Sequence, residues 1–202
     1  TLQDAIMETI EIGRSSGARV VASHIKAKGA HFWGSSGSAI QLIQRAREEG
    51  VRIWADQYPY ATSGSDGGTV LIPRWALRDP DATRPREGRP PGTMFRLAMA
   101  NAGQEAKVRQ DVAHEIRRRG GAERVMIMDY PDEDLIGKTL AEVSKAWGTA
   151  DVQTAIDLQL KGDPEVMGGG RMRGFSMSEI DVENYAAQPW VATASDGGIA
   201  LP

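Results

Sequence analysis

The alternation of helix and strand signals over the first 58 residues constrains this chain most. Residues 2–16 place Leu2, Ile6 and Ile10 four apart with Ala5 beside them, the spacing of an amphipathic helix, and Gly17 offers its stop. Residues 18–23 (ARVVAS) form a short β-prone run that ends at His24. A Gly/Ser-rich loop follows over residues 26–37. Ser38 and Gln41 make an S-x-x-Q capping box for the next helix, whose apolar face is Ile40, Ile43 and Ala46 and whose end is Gly50. Residues 51–58 (VRIWADQY) read as a second strand, stopped by Pro59. Helix, strand, loop, helix and strand in that order imply an α/β class, with parallel strands joined by crossover helices.

The pattern changes after residue 61. Residues 61–92 are rich in Gly, Pro, Ser, Arg and Asp. They read as a solvated, partly mobile insertion. The sharper alternative is a carboxylate- or phosphate-binding cluster of Arg74, Arg78, Arg84, Arg86, Arg89 and Arg96 near Asp79, Asp81 and Glu87. Residues 104–119 read as a polar helix whose terminal Arg117, Arg118 and Arg119 suit the helix dipole. Residues 124–128 are strand-like. Thr139 and Glu142 cap a helix through Trp147, and residues 152–160 continue as another. Gly168, Gly169 and Gly170 form a loop without G-x-G-x-x-G spacing. Ser176 and Glu179 cap a final helix to about Ala187, before a last strand over residues 190–195 (WVATAS) that runs into Asp196-Gly197-Gly198.

Composition removes several classes of function. Against 24 Lys and Arg stand 27 Asp and Glu, a net charge of −3, so no polybasic field exists to attract nucleic acid or an anionic membrane. No apolar stretch approaches the roughly 20 residues that span a bilayer. The 202 residues contain no cysteine, which excludes disulfides, Cys-ligated zinc and thiol catalysis within them. The three histidines, His24, His31 and His114, form no H-x-H or H-E-x-x-H pattern, so this chain alone does not encode a complete His-based metal site. No phosphate loop and no G-x-S-x-G elbow is present.

The strand ends are more informative, because parallel α/β architectures carry their chemistry there. His24 ends the first strand and suits either a structural hydrogen bond or a metal ligand. Strand alternation would set Lys26 on the same side, as an ordinary solvated lysine or as the cation for a substrate carboxylate beside a polarised carbonyl. Tyr58 ends the second strand in Asp56-Gln57-Tyr58-Pro59-Tyr60. It suits aromatic packing at a rim or a phenol directed into a site, backed by the hydroxyls of Thr62, Ser63 and Ser65. Asp196 follows the last strand, with Gly after it to permit a sharp turn. It reads as an Asx-turn residue or a catalytic carboxylate. Asp66, in the similar Ser-Asp-Gly-Gly stretch at 65–68, reads as turn chemistry.

Three motifs in order carry a family resemblance: Ser23-His24-Ile25-Lys26 with Trp33-Gly34, then Asp56-Gln57-Tyr58-Pro59-Tyr60, then Ser195-Asp196-Gly197. Together they resemble the N-acyl-D-amino-acid deacylases (D-aminoacylases) of the amidohydrolase superfamily. Leu71-Ile72-Pro73-Arg74-Trp75-Ala76, Gly137-Lys138-Thr139-Leu140-Ala141-Glu142 and Phe175-Ser176-Met177-Ser178-Glu179 look similar to the same family.

The resemblance implies a partial (β/α)8 TIM barrel, about strands six to eight, with an inserted small α+β domain. Residues 1–61 would supply barrel βα units, 62–170 the inserted domain and its return, and 171–202 the last barrel helix and strand. His24 would match a zinc ligand, Lys26 and Tyr58 the holders of the substrate α-carboxylate, and Asp196 the catalytic aspartate. The family's adjacent serines after Tyr-Pro-Tyr are here Ser63 and Ser65 around Gly64, so either one is a candidate substrate contact. The cofactor implied is zinc, as one or two divalent ions, with the remaining ligands outside this chain. The implied partners are a small-molecule N-acyl amino acid and either the missing N-terminal part of the barrel or a second chain. No nucleic-acid or membrane partner is expected. The implied reaction is metal-dependent hydrolysis of the amide bond of N-acyl-D-amino acids. A D-dipeptidase or cyclic-amide hydrolase of the same superfamily is an alternative. A non-catalytic fragment or subunit that assembles with the missing half is a reading of another class.

Overall fold

Apolar residues four apart make Leu2–Ser16 a helix, α1, with Ile6 and Ile10 buried along one face. The structure, a computed structural model, describes residues 2–82 and 88–196. After α1 come β1 (Val20–Ala22), α2 (Ser36–Glu48), β2 (Ile53–Gln57), β3 (Thr62–Asp66) and the single turn α3 (Gly67–Val70). Then follow α4 (Pro91–Ala100), α5 (Ala102–Arg119), β4 (Val125–Asp129), α6 (Leu140–Trp147) and α7 (Asp151–Lys161). Last are β5 (Arg171–Phe175), α8 (Glu179–Ala186) and β6 (Val191–Thr193). The chain divides into two compact units, one holding residues up to Ala61 and from Ser176 onward, the other Thr62–Phe175. Among the described residues no helix is long and apolar enough to cross a membrane.

In the first unit β2 is the central strand of a three-stranded sheet in the order β1-β2-β6, with both pairings parallel. Val20 stands opposite Ile53, and Gln57 opposite Thr193. Ile6 and Ile10 of α1 and Ile40 and Ile43 of α2 share a core with Ile53, Ala55, Tyr185 and Trp190. Helix α1 lies directly on the sheet: a Cβ at Gly13 would meet side-chain carbons of Val20 at 2.9 Å and Val51 at 3.0 Å. The parallel strands and crossover helices of the first 58 residues therefore form as their periodicity requires.

Two caps differ from the sequence expectation. Helix α2 begins at Ser36, ahead of Ser38, whose hydroxyl donates to the Ser35 carbonyl at 2.9 Å instead of capping. The free N–H groups at this helix start are satisfied from α8, where Asp181 accepts from Gly34 N at 2.8 Å and Ser36 N at 3.0 Å. Helix α8 is itself capped by Ser178, which accepts from Asp181 N, so Ser178 and Asp181 replace the expected Ser176 and Glu179. Ser176 acts through its backbone: its carbonyl accepts from Gly29 N at 2.8 Å and Trp33 Nε1 at 3.1 Å. At Thr139 the expected capping box forms in full with Glu142.

The second unit is built on an antiparallel sheet in the order β3-β5-β4. Its core joins Val125, Ile127 and Met172 to Phe95, Val112, Ile116, Leu140 and Ile156 of the surrounding helices. The irregular insertion expected over residues 61–92 is corrected here, since residues 62–66 are a strand and Pro91 already begins α4. The polar run T-S-G-S-D has little strand propensity of its own. Its partner β5, from Phe175 opposite Thr62 to Arg171 opposite Asp66, lies over a hundred residues away in sequence. Asp66 accepts the Thr69 hydroxyl at 3.1 Å just past the strand end. The triple glycine packs there as well. Gly168 has φ +84°, and a Cβ on it would stand 2.1 Å from Gly67 Cα, so only glycine fits.

Arg89 and Arg96 of the expected cluster have separate partners. Arg89 donates from Nε and Nη2 to Asp79 at 2.9 Å each, and these bonds hold the Asp79 carboxyl well below the usual carboxylate range. Arg96 donates to the Leu160 carbonyl at 2.6 Å. Arg84, Arg86 and Glu87 lie outside the described residues. Arg119 departs from a solvated last-turn cation. It is only 2% exposed, and its guanidinium donates to the carbonyls of Thr69 at 3.2 Å and Phe175 at 3.5 Å.

Candidate functional site

The C-terminal ends of β1, β2 and β6 meet at one edge of the first unit, because all three strands are parallel and in register. His24 follows β1, Tyr58 follows β2 and Asp196 follows β6. His24 Nε2 lies 3.2 Å from Lys26 Nζ and 3.7 Å from Asp196 Oδ2. The Tyr58 ring meets His24 edge-on, with centroids 4.8 Å apart, and Lys26 Nζ sits 4.7 Å from the same ring's centre. Tyr60 stacks beyond it at 6.2 Å. Tyr58 is buried and Tyr60 exposed, so the two rings line the way from interior to surface.

Strand alternation is not what joins His24 to Lys26. The strand stops at Ala22, and His24 adopts φ +60°, in the left-handed region that β-carbon sterics disfavour. Asp196 is also left-handed, at φ +51°. Gly197 and Gly198, expected to permit a sharp turn, lie outside the described residues.

One residue holds the His24 conformation. The Asp56 carboxylate, on β2, accepts from His24 N at 2.6 Å and from Ser23 Oγ at 3.0 Å, while the Asp56 carbonyl accepts from Ile25 N at 2.9 Å. Sequence reasoning left Asp56 without a role. Its signal was an acid inside a five-residue strand whose alternate positions are buried. Trp33 and Gly34, quoted with the His24 motif, close the loop after it through Trp33 Nε1 to Ser176 and Gly34 N to Asp181.

Lys26 Nζ lies within hydrogen-bond distance of His24 Nε2, with the donor and acceptor roles following the imidazole tautomer, whereas the 3.7 Å separation from Asp196 is too long for a hydrogen bond. Burial holds Lys26 below the ordinary lysine value, Lys28 adds to this by repulsion, and Asp196 works against it. Lys26, Asp196 and the His24 imidazole thus stand within one site.

Ser63 and Ser65 belong to the second unit, on β3 opposite Gly174 and Met172. They are not carried by the strand ends that bring His24, Lys26, Tyr58 and Asp196 together.

The residues fit a zinc ion in the type of donor they offer. The imidazole lone pair and the Asp196 carboxylate are a nitrogen and an oxygen donor, and zinc ligands stand about 2.0–2.2 Å from the ion, so a pair 3.7 Å apart can share one. Among the described residues no group of three or more metal-ligating side chains converges.

Comparison with known proteins bears on the fold. No protein-family model matches the chain. A stretch of 75 residues is 37% identical to an N-acyl-D-glutamate deacylase of Alcaligenes xylosoxydans xylosoxydans, covering 37% of this chain and 14% of that protein. The fold is similar to the N-acyl-D-glutamate deacylase of Bordetella bronchiseptica, solved with zinc and a phosphonate mimic of the tetrahedral intermediate. That match has a TM-score of 0.53 at 22% identity and covers 95% of this chain and 29% of the other. It is also similar to a D-aminoacylase with a binuclear metal centre, at TM-score 0.51, 22% identity, and 96% and 29% coverage. The chain is thus a mixed α/β protein that shares the fold of part of the D-aminoacylases, which define a subset of amidohydrolases. It spans less than a third of the length of the proteins it matches.

Proposed function

We propose that this chain is part of a zinc-dependent deacylase that hydrolyses the amide bond of N-acyl-D-amino acids. The observation that carries this reading is the meeting of His24, Lys26, Tyr58 and Asp196 at the C-terminal ends of three parallel strands. That end of a β/α sheet is where such enzymes do chemistry. In this reading the sheet β1-β2-β6 corresponds to strands six to eight of a (β/α)8 barrel. The unit Thr62–Phe175 is the inserted small domain. The remaining strands and metal ligands come from protein outside these 202 residues.

His24 would hold the metal through Nε2. A zinc ion bound there supplies Lewis acidity to the amide carbonyl and makes water a nucleophile near neutral pH. Lys26 binds the substrate's α-carboxylate by charge, and Tyr58 lines the same place with its ring, so the scissile bond is held in one orientation. Asp196 takes a proton from the attacking water as its oxygen bonds to the carbonyl carbon. When the C–N bond breaks, Asp196 returns that proton to the leaving nitrogen. The products are a carboxylic acid and a free D-amino acid. Ser63 and Ser65 are proposed as candidate substrate-binding residues on the strength of the family resemblance alone.

The test is turnover of N-acyl-D-amino acids by the complete protein with Asp196→Asn as control. Loss of about a hundred-fold or more in kcat, with the protein folded and zinc retained, is the expected result. Undiminished turnover would remove Asp196 from the reaction.

A further inference from the structure

His24 is left-handed at φ +60°, a conformation uncommon for non-glycine residues, and although histidine enters it more readily than most, it is strained unless something compensates. At the end of β1 the compensation comes from one neighbour. The last regular pair is Ala22 opposite Ala55. Beyond it, Asp56 holds the two amides on either side of the His24 Cα with different atoms: its carboxylate takes His24 N at 2.6 Å, and its carbonyl takes Ile25 N at 2.9 Å. The carboxylate also receives the Ser23 hydroxyl at 3.0 and 3.2 Å. The chain is bent out of the ladder at His24 and returned to it at Ile25. Irregularities of this kind re-aim a side chain at a strand end.

We infer that Asp56 is a positioning residue that aims the His24 imidazole into the site by fixing its backbone in the left-handed conformation. The inference rests on the zinc reading of His24 given above. Asp56 itself touches neither metal nor substrate. A ligand's direction is set by its backbone and by its outer contacts, and partners of metal ligands commonly change metal affinity ten- to a hundred-fold when removed. Here the control runs through the main chain, because the carboxylate holds the amide and not the ring.

The test is zinc affinity of the complete protein, measured by competition with a chromophoric chelator. Wild type, Asp56→Ala, Ser23→Ala and His24→Ala are compared below their melting temperatures. Asp56→Ala is expected to weaken zinc about ten-fold, Ser23→Ala less than three-fold, and His24→Ala by more than either. The absorption bands of the cobalt-substituted protein are expected to shift in Asp56→Ala, which a loss of stability alone would not produce. If Asp56→Ala does not fold, Asp56→Asn carries the test. It keeps an oxygen for the His24 amide but loses the charge, and a weakening of at least three-fold is expected. Wild-type affinity and wild-type cobalt bands in the folded Asp56 variant would overturn the positioning role if His24→Ala still loses metal. Wild-type affinity in His24→Ala would instead overturn the metal reading and the inference with it.

Discussion

Lys26 Nζ stands 3.2 Å from His24 Nε2 although no strand carries the two residues. The left-handed turn at His24 brings the side chains together where β alternation would have needed a longer strand. The two side chains thus share one site at the strand ends, with the Lys26 cation beside the imidazole.

Replacing that cation separates binding from chemistry. In the complete protein, Lys26→Met keeps the length of the side chain and removes its charge. Steady-state kinetics on N-acyl-D-amino acids are expected to show KM raised ten-fold or more, with kcat changed less. Zinc content should not fall. An unchanged KM would take Lys26 out of carboxylate recognition.

Asp181 makes stability in acid depend on one buried carboxylate. Burial alone would raise its pKa, but the hydrogen bonds from Ser36, Gly34 and Ser178 together outweigh burial and hold it below the ordinary value. A depressed folded pKa contributes stability that is fully present above the unfolded value, about 3.9, and is lost as pH falls through the folded one. Asp181→Asn is therefore expected to cost about 2 kcal/mol at neutral pH and to flatten the loss of stability below about pH 4. Denaturant melts across pH 2–7 read both effects.

Arg119 ties α5 to two places in its own unit, through the carbonyls of Thr69 and Phe175. Arg119→Ala removes both donors and leaves a cavity, at an expected cost of about 3 kcal/mol or more. Arg119→Met refills the volume and should recover part of it. A surface arginine would show less than about 0.5 kcal/mol for either change, so thermal melts of the two variants distinguish the cases.

Gly168 gives a local control with no chemistry attached. Its φ is +84°, and a Cβ would run into the backbone of Gly67. Gly168→Ala is expected to destabilise by about 2–3 kcal/mol or more, read as a fall in Tm. Gly37→Ala, where nothing stands within 4 Å, should be close to neutral.

The sequence made the first unit readable because its signals are local. Leu2, Ile6 and Ile10 specify α1, and two short β-prone runs flank a helix, so parallel pairing followed. The grouping of His24, Tyr58 and Asp196 was legible as three strand ends. What could not be read depends on partners far along the chain. The strand Thr62–Asp66 looks like a loop until Arg171–Phe175 pairs with it. The start of α2 has its cap on Asp181, some 145 residues away. Arg119 looks like the third of three surface cations, and only packing against Thr69 and Phe175 buries it. Asp56 lies in the Asp56-Gln57-Tyr58-Pro59-Tyr60 motif, yet its contacts with the main chain depend on the left-handed turn at His24, which a strand-end reading does not foresee.

The most direct measurement is turnover of an N-acyl-D-amino acid and of its L-enantiomer by the complete protein carrying zinc. Hydrolysis of the D-substrate that disappears on chelation, returns with zinc and exceeds that of the L-substrate at least a hundred-fold is the expected result. Zinc-loaded, folded protein that hydrolyses neither this nor any other N-acyl-D-amino acid would contradict the deacylase reading of His24, Lys26, Tyr58 and Asp196.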